Sequence, residues 1–393
     1  MSSLSKQFLI GFLCLVCCAC QQRLETNIQP TTISQPVSSI TVNVTVTPIS
    51  TFVSSTPTMR VLEEKVNCKS EDDNSGYILF VASYNDVYDG DILYVMNDDG
   101  CYIRKIMENV SGSAAWSKDS ALIAIGCEDN TSICILDAQA TLDTCTGEAQ
   151  GLDGACDPAI LEKIVLPLDI AELGATSWSP NGDKLAVSSV DTEDESYSIR
   201  ILNLDDRNWK TLLSQTIFPM SVTWSPIYNH LLAIQEKDGI FLYDLTKQSN
   251  VEFVTYGYGP EWSSDGQQIA FVKPADIDAP MVKEGHGIAV INLMSREWHW
   301  VYEPKAWDNY YPNLPDDRQN VEMINVPFGR CITWPPNATH VFLGAIYHAD
   351  NSQVLRLDLE TEELRPLLVY PDLEGLLNAN YIIHYPVWGS KSR

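Results

Sequence analysis

Positive charge is scarce in this sequence. Lys and Arg number 25 against 52 Asp and Glu, which leaves a formal net charge of −27. A surface of that sign repels phosphate backbones and anionic headgroups, so nucleic acid is not an expected partner. Long apolar runs are missing as well. The one candidate, residues 8–16, is too short to span a bilayer comfortably. Histidine is sparse: the six residues, at 230, 286, 299, 340, 348 and 384, show no metal-ligand spacing. Neither G-x-S-x-G nor H-E-x-x-H occurs, so two familiar hydrolase chemistries have no support. Hydrophobic residues at 45% and charged residues at 20% give a globular balance over 393 residues, with disorder expected only locally.

What is present begins at the N-terminus. Lys6 precedes the apolar run, which ends in Cys17-Cys18-Ala19-Cys20, and a basic residue followed by a short apolar core is a signal-peptide pattern. The cysteine-rich end resembles the lipobox of bacterial lipoproteins, in which a small residue precedes a Cys that is acylated. That resemblance implies an exported protein of the bacterial cell envelope, held to the membrane through a lipid anchor alone. Ala19 makes Cys20 the favoured lipidation site, although Cys17 stands where that family usually has Leu. Cys18, with Leu15 at the matching distance, is the alternative. An ordinary cleaved signal with incidental cysteines is the competing reading. The signal peptide is assigned to residues 1–20.

Residues 21–66 form a Ser/Thr/Pro-rich linker with little to bury, expected to act as a tether. Within it, the alternation in ITVNVTV could instead add a strand to something.

From about residue 76 a unit recurs. Trp116, Trp178, Trp224, Trp262, Trp334 and Trp388 each end a short apolar strand; each of the first five is followed by a turn and a run such as KLAVSSV or QIAFV. Second and third strands follow in most units, making four per unit, which is the pattern of a propeller blade. The first strand set, YILFVAS onward, has no Trp strand ahead of it, and the Trp388 strand has no set behind it. Placing the C-terminal strand innermost in the first blade closes the ring and leaves no open edge between first and last. Each Trp is expected to wedge between neighbouring blades. The Pro, Asn-Gly and Asp-Gly that follow suit tight reversals.

Trp178-Ser-Pro-Asn-Gly182, Trp262-Ser-Ser-Asp-Gly266 and the run ILYVMNDDG resemble the repeats of TolB-type propellers, a branch of the WD-repeat-like propellers. Trp224-Ser-Pro matches less fully, and Trp334-Pro-Pro and Trp388-Gly-Ser depart from the pattern. The resemblance implies an all-β, six-bladed propeller over residues 67–393, closed by its C-terminal strand. By analogy it implies a protein or peptide ligand.

Strand placement suggests three disulfides, which export permits. These are Cys127 with Cys134, Cys145 with Cys156, and Cys68 with Cys101, leaving Cys331 as a buried free thiol.

The longer segments, at 83–91, 189–197, 273–287, 303–329 and 347–352, mostly fall on one face of such a ring, where binding is usually placed. Trp307, Tyr310 and Tyr311, with Asp308 beside them, suit stacking on a peptide side chain, a sugar or a cation; packing within the ring is the competing reading. Asp89, Asp91 and His286 belong to the same candidate face. The acidic loops, Asp86, Asp89 and Asp91 in one and Asp191, Glu193, Asp194 and Glu195 in the other, invite calcium, yet neither follows the twelve-residue calcium pattern. No cofactor and no metal site is therefore assigned, with calcium as the alternative. The expected function is a monomeric, non-catalytic protein- or peptide-binding module, glycan being the less favoured ligand. The alternative is a propeller hydrolase acting on glycans or lactones with a calcium in its channel. No hydrolase domain is expected after the ring, because the chain stops soon after Trp388.

Overall fold

The computed structural model describes residues 76–84, 91–128, 130–147, 154–194, 196–215, 221–237, 239–247, 251–274, 286–303, 332–336, 339–347, 351–361, 364–367 and 381–390. All lie within one compact unit, Pro57–Arg393. The lipidation site, the linker, Cys68 and Cys331 lie outside the described residues.

In chain order the elements are β1 (Gly76–Tyr84), β2 (Asp91–Asn97), β3 (Arg104–Trp116), β4 (Leu122–Cys127), β5 (Ser132–Asp137), α1 (Ala138–Leu142), β6 (Gly154–Ala155) and β7 (Ile160–Val165). Then come β8 (Ile170–Trp178), β9 (Lys184–Asp191), β10 (Tyr197–Asn203), β11 (Trp209–Gln215), β12 (Val222–Trp224), β13 (Leu231–Glu236), β14 (Gly239–Asp244) and β15 (Val251–Tyr256). The rest are β16 (Tyr258–Trp262), β17 (Gln268–Pro274), β18 (His286–Asn292), β19 (Trp298–Tyr302), β20 (Ile332–Thr333), β21 (His340–Tyr347), β22 (Asn351–Asp358), β23 (Leu364–Pro366) and β24 (Tyr381–Ser390).

Strands β8–β11, β12–β15, β16–β19 and β20–β23 form four sheets of four strands each. The remaining sheet runs β24-β1-β2-β3-β4-β5-β7, and it divides at β3. The first half of β3 pairs with β2, Arg104 opposite Val95, whereas its second half pairs with β4, Trp116 opposite Ile123. One strand thus serves as the outer strand of blade 1 and the inner strand of blade 2. The fold is an all-β, six-bladed propeller, and β24 closes it as the inner strand of blade 1, with Trp388 opposite Ile78.

The blades stack face to face, so inner and middle strands bury both faces and read as nearly unbroken apolar runs. Leu122-Ile-Ala-Ile-Gly-Cys127 is one such run, buried from its second residue onward. The hydrophobic core is correspondingly partitioned into six clusters, one in each gap between adjacent blades. The gap between blades 6 and 1 is among them, filled by Ile78, Phe80 and Met96 against Phe342 and Val354.

Each recurrent Trp lies in the gap between its own blade and the preceding one. Indole N–H groups donate across that gap from Trp178 to Ala115 O (3.0 Å), from Trp262 to Thr223 O (3.3 Å) and from Trp116 to Val387 O (3.0 Å). In every case the acceptor is the residue just before the neighbouring blade's own Trp. The buried Trp224 indole N–H lacks a partner; there the link is made by the Trp224 backbone N–H to Ser177 Oγ (2.9 Å).

The Ser after Trp fixes the turn between the first and second strands of a blade. Ser117, Ser179 and Ser263 each accept from the backbone N–H five residues on and donate to a turn carboxylate, that of Asp119, Asp183 or Asp265. Blade 1 departs from Trp-Ser for a steric reason: a Cβ at Gly389 would lie 2.4 Å from the Trp116 ring.

The insertion between β5 and β7 is stapled by a Cys145–Cys156 disulfide, and Cys127–Cys134 joins β4 to β5. Cys101 is also disulfide-bonded. Within the insertion, β6 lies parallel to the outer edge of blade 1, Arg104 opposite Gly154. The insertion of blade 2 therefore covers its neighbour's edge.

Candidate functional site

Strand direction sorts the ring into two ends. One carries the turns between first and second and between third and fourth strands. Apart from the β5–β7 insertion of blade 2, the described ones are short and internally bonded: besides the Ser–Asp pairs, Asn203, Asp244, Asn292 and Asp358 accept backbone N–H groups from their own turns.

The other end holds the loops between second and third strands and the links between blades. Of the expected site residues, Trp307, Asp308, Tyr310, Tyr311, Asp86 and Asp89 lie outside the described residues. Asp91 opens β2 and His286 opens β18, which puts both at this end.

Glu172, on the inner strand of blade 3 near the blade 2–3 link, joins them there. Its side chain is exposed, and its pKa is raised first by desolvation from the neighbouring protein and then by the Asp91 charge. A second acidic position is differently placed. Arg200, buried, donates to Asp169 Oδ2 (2.9 Å) in the blade 2–3 link and to Asp191 Oδ1 (2.6 Å), while Ser196 and Ser198 donate to Asp191 Oδ2. Asp194 accepts from Ser196, and these bonds hold its carboxyl below the usual range. Asp191 and Asp194 are thus used in bracing the blade 3 hairpin. Among the described residues no group of three or more His, Cys, Asp or Glu side chains is arranged to hold a metal ion.

The inner strands are tied to each other by small hydroxyls. Ser113 accepts Thr176 N–H (2.9 Å), Thr333 accepts Trp388 N–H (3.0 Å), and Thr223 donates to the buried Glu261 carboxylate (3.4 Å). Gly259 N–H is accepted by Gln235 Oε1 (2.9 Å). These groups brace the ring from within.

Two further contacts were not anticipated. Arg207, with φ 61°, pairs through two 2.7 Å bonds with Glu162 of the preceding blade, and Arg296, with φ 62°, pairs through its Nη2 with Glu252 Oε1 across the next-but-one gap. The repeated pattern N-L-x-x-R-x-W, at 203–209 and 292–298, was the signal available in the sequence.

The sequence matches no protein-family model, and no curated protein matches it. Among solved structures, TolB from Acinetobacter baumannii is similar with a TM-score of 0.56 at 16% identity, covering 81% of this chain and 68% of that one. A chain of the nidogen/laminin complex gives 0.51 at 10% identity, covering 80% of this chain and 98% of that one. A putative TolB from Agrobacterium tumefaciens gives 0.48 at 13% identity, with 81% and 100% covered. At these identities the likeness is one of fold, and the fold is a β-propeller.

Proposed function

We propose that the chain is an exported lipoprotein whose propeller is a non-catalytic protein- or peptide-binding module. Binding would take place at the end of the ring that carries the inter-blade links. The difference between the two ends carries this reading. At one end the turns, apart from the stapled insertion of blade 2, bond to their own side chains, whereas the other presents the exposed Glu172, whose pKa is raised by desolvation and by the Asp91 charge. A cationic side chain from a partner would relieve that repulsion. The aromatic group Trp307, Tyr310 and Tyr311, which the sequence assigns to the same face, would supply further contact area.

The test is recovery of partners from solubilised envelope by the intact chain and by Trp307→Ala, Tyr310→Ala and Glu172→Gln. Reduced recovery in the variants supports the reading, and undiminished recovery in all three contradicts it. The anchor is tested separately by mass spectrometry of Cys20→Ala, which is expected to lose the acyl mass. Retention of that mass would assign the lipid to Cys18.

A further inference from the structure

We propose that the outer edge of β7 in blade 2 is a docking site for an extended, basic segment of a partner protein, which adds to the blade as a fifth strand. This surface is separate from the loop end described above.

Three observations converge on it. First, β7 pairs with β5 on one side and, among the described residues, with nothing on the other. Leu166 N–H bonds Thr131 O (3.0 Å). With Cys134 opposite Lys163 and Ser132 opposite Val165, antiparallel alternation then directs the backbone groups of Lys163 and Val165 outward. An unpaired edge of this kind is a template for another strand.

Second, the edge is apolar where such edges are usually blunted. On the strand itself Leu161 and Val165 are 61% and 74% exposed. By comparison, the outer strand of blade 6 has three residues and ends in Pro366, that of blade 3 exposes Lys210 and Thr211, and those of blades 4 and 5 expose Phe253, Tyr256 and Trp298 less fully, at 45%, 48% and 43%. Lys163, the cation on the β7 edge, is already paired with Glu128. Beside the edge runs a groove of about 370 Å³, lined by Ile164, Pro167, Trp209 and the Glu162–Arg207 pair. Alternate side chains of an added strand would enter it.

Third, the molecule already uses this mode once, since β6 adds to the outer edge of blade 1. A second copy of the chain is the less suitable occupant, because each copy carries −27 and edge-to-edge pairing would bring like charge together. Exposed Asp205 and Asp206, adjacent to Arg207, favour a basic segment instead.

The experiment uses the full chain in detergent with a labelled short peptide alternating Lys and Val, followed by fluorescence anisotropy. Controls are the same peptide with Glu for Lys, and the same peptide N-methylated at alternate backbone nitrogens. Saturable binding by the Lys/Val peptide alone is expected. It should weaken about tenfold in Leu161→Ser/Val165→Ser, with an unchanged melting temperature, and be unaffected by Trp307→Ala. Equal binding of the N-methylated peptide overturns the proposal, because strand pairing would not be involved. So do undiminished binding by the double variant and absence of saturable binding. A dimer in sedimentation that the double variant dissolves would assign the edge to a second copy, and likewise overturns it.

Discussion

At the residue scale, Trp178 combines two contributions that substitutions can separate. Its ring fills the gap between blades 2 and 3, and its indole N–H donates to Ala115 O. Trp178→Ala is expected to cost about 3–5 kcal/mol through lost burial and an unfilled cavity, whereas Trp178→Phe, which keeps most of the ring, should cost nearer 1 kcal/mol for the lost bond. Urea denaturation of both variants measures the difference, and equal costs would contradict this division. The tryptophans were legible because a large aromatic at a recurring position stands out. The Ser beside them was not, since its effect depends on an Asp two residues on in Ser117 and Ser263 but four on in Ser179. His340 was equally opaque. Burial first, then the Arg356 charge, lowers its pKa to about 4 against a partial opposing effect of Asp358, and Arg356 Nη2 lies 3.2 Å from His340 Nδ1. The folded state therefore favours the neutral ring. The stability it contributes is fully present above the unfolded value near 6.5 and is lost as pH falls through about 4. A His340→Gln variant should lose less stability than the parent between pH 6.5 and 4, and parallel pH profiles would contradict that assignment.

At the scale of elements, the strands and most turns could be read from short apolar runs punctuated by Pro, Asn-Gly and Asp-Gly. The continuity of β3 could not. Its middle, Glu108-Asn-Val-Ser-Gly-Ser113, has the composition of a loop, yet it stays extended and changes partner sheet across a register shift between Ser111 and Ala115. Gly112 permits this, because its φ is +66° and a Cβ there would meet Gly174 O at 2.3 Å. The position of β6 was hidden for a related reason: two residues that pair in parallel with a distant edge leave no periodic trace. Since β6 is so short, the Cys145–Cys156 bond should hold it more than its own hydrogen bonds do. Cys145→Ser/Cys156→Ser is expected to lose about 2–3 kcal/mol, the entropy of closing a loop of that length. Limited proteolysis should then cut within 143–157 while the ring still melts cooperatively. An insertion as resistant as in the parent would mean that the disulfide is dispensable for holding the edge.

At the scale of the whole molecule, architecture was more legible than site. A strand set lacking its Trp and a Trp lacking its strand set are complementary, and that arithmetic foretold a closed ring of six. The candidate loops carry no such redundancy, because each is unique and the chemistry of a binding face depends on which side chains converge from different blades. Glu172 and Asp91 show this, being far apart in the chain yet near enough through the ring for the Asp91 charge to act on Glu172. Closure itself is the claim on which both proposed surfaces depend. Strand β24 supplies the inner edge of blade 1, buries Val387 in the blade 1–2 gap, and accepts the Trp116 indole N–H through Val387 O. The direct measurement is the thermal transition of a chain ending at Asn380, with and without a synthetic peptide of the sequence 381–390. A melting temperature lower by about 7 °C is expected, from a loss of about 5 kcal/mol, with recovery when the peptide is added. A truncated chain that melts where the parent does would contradict it.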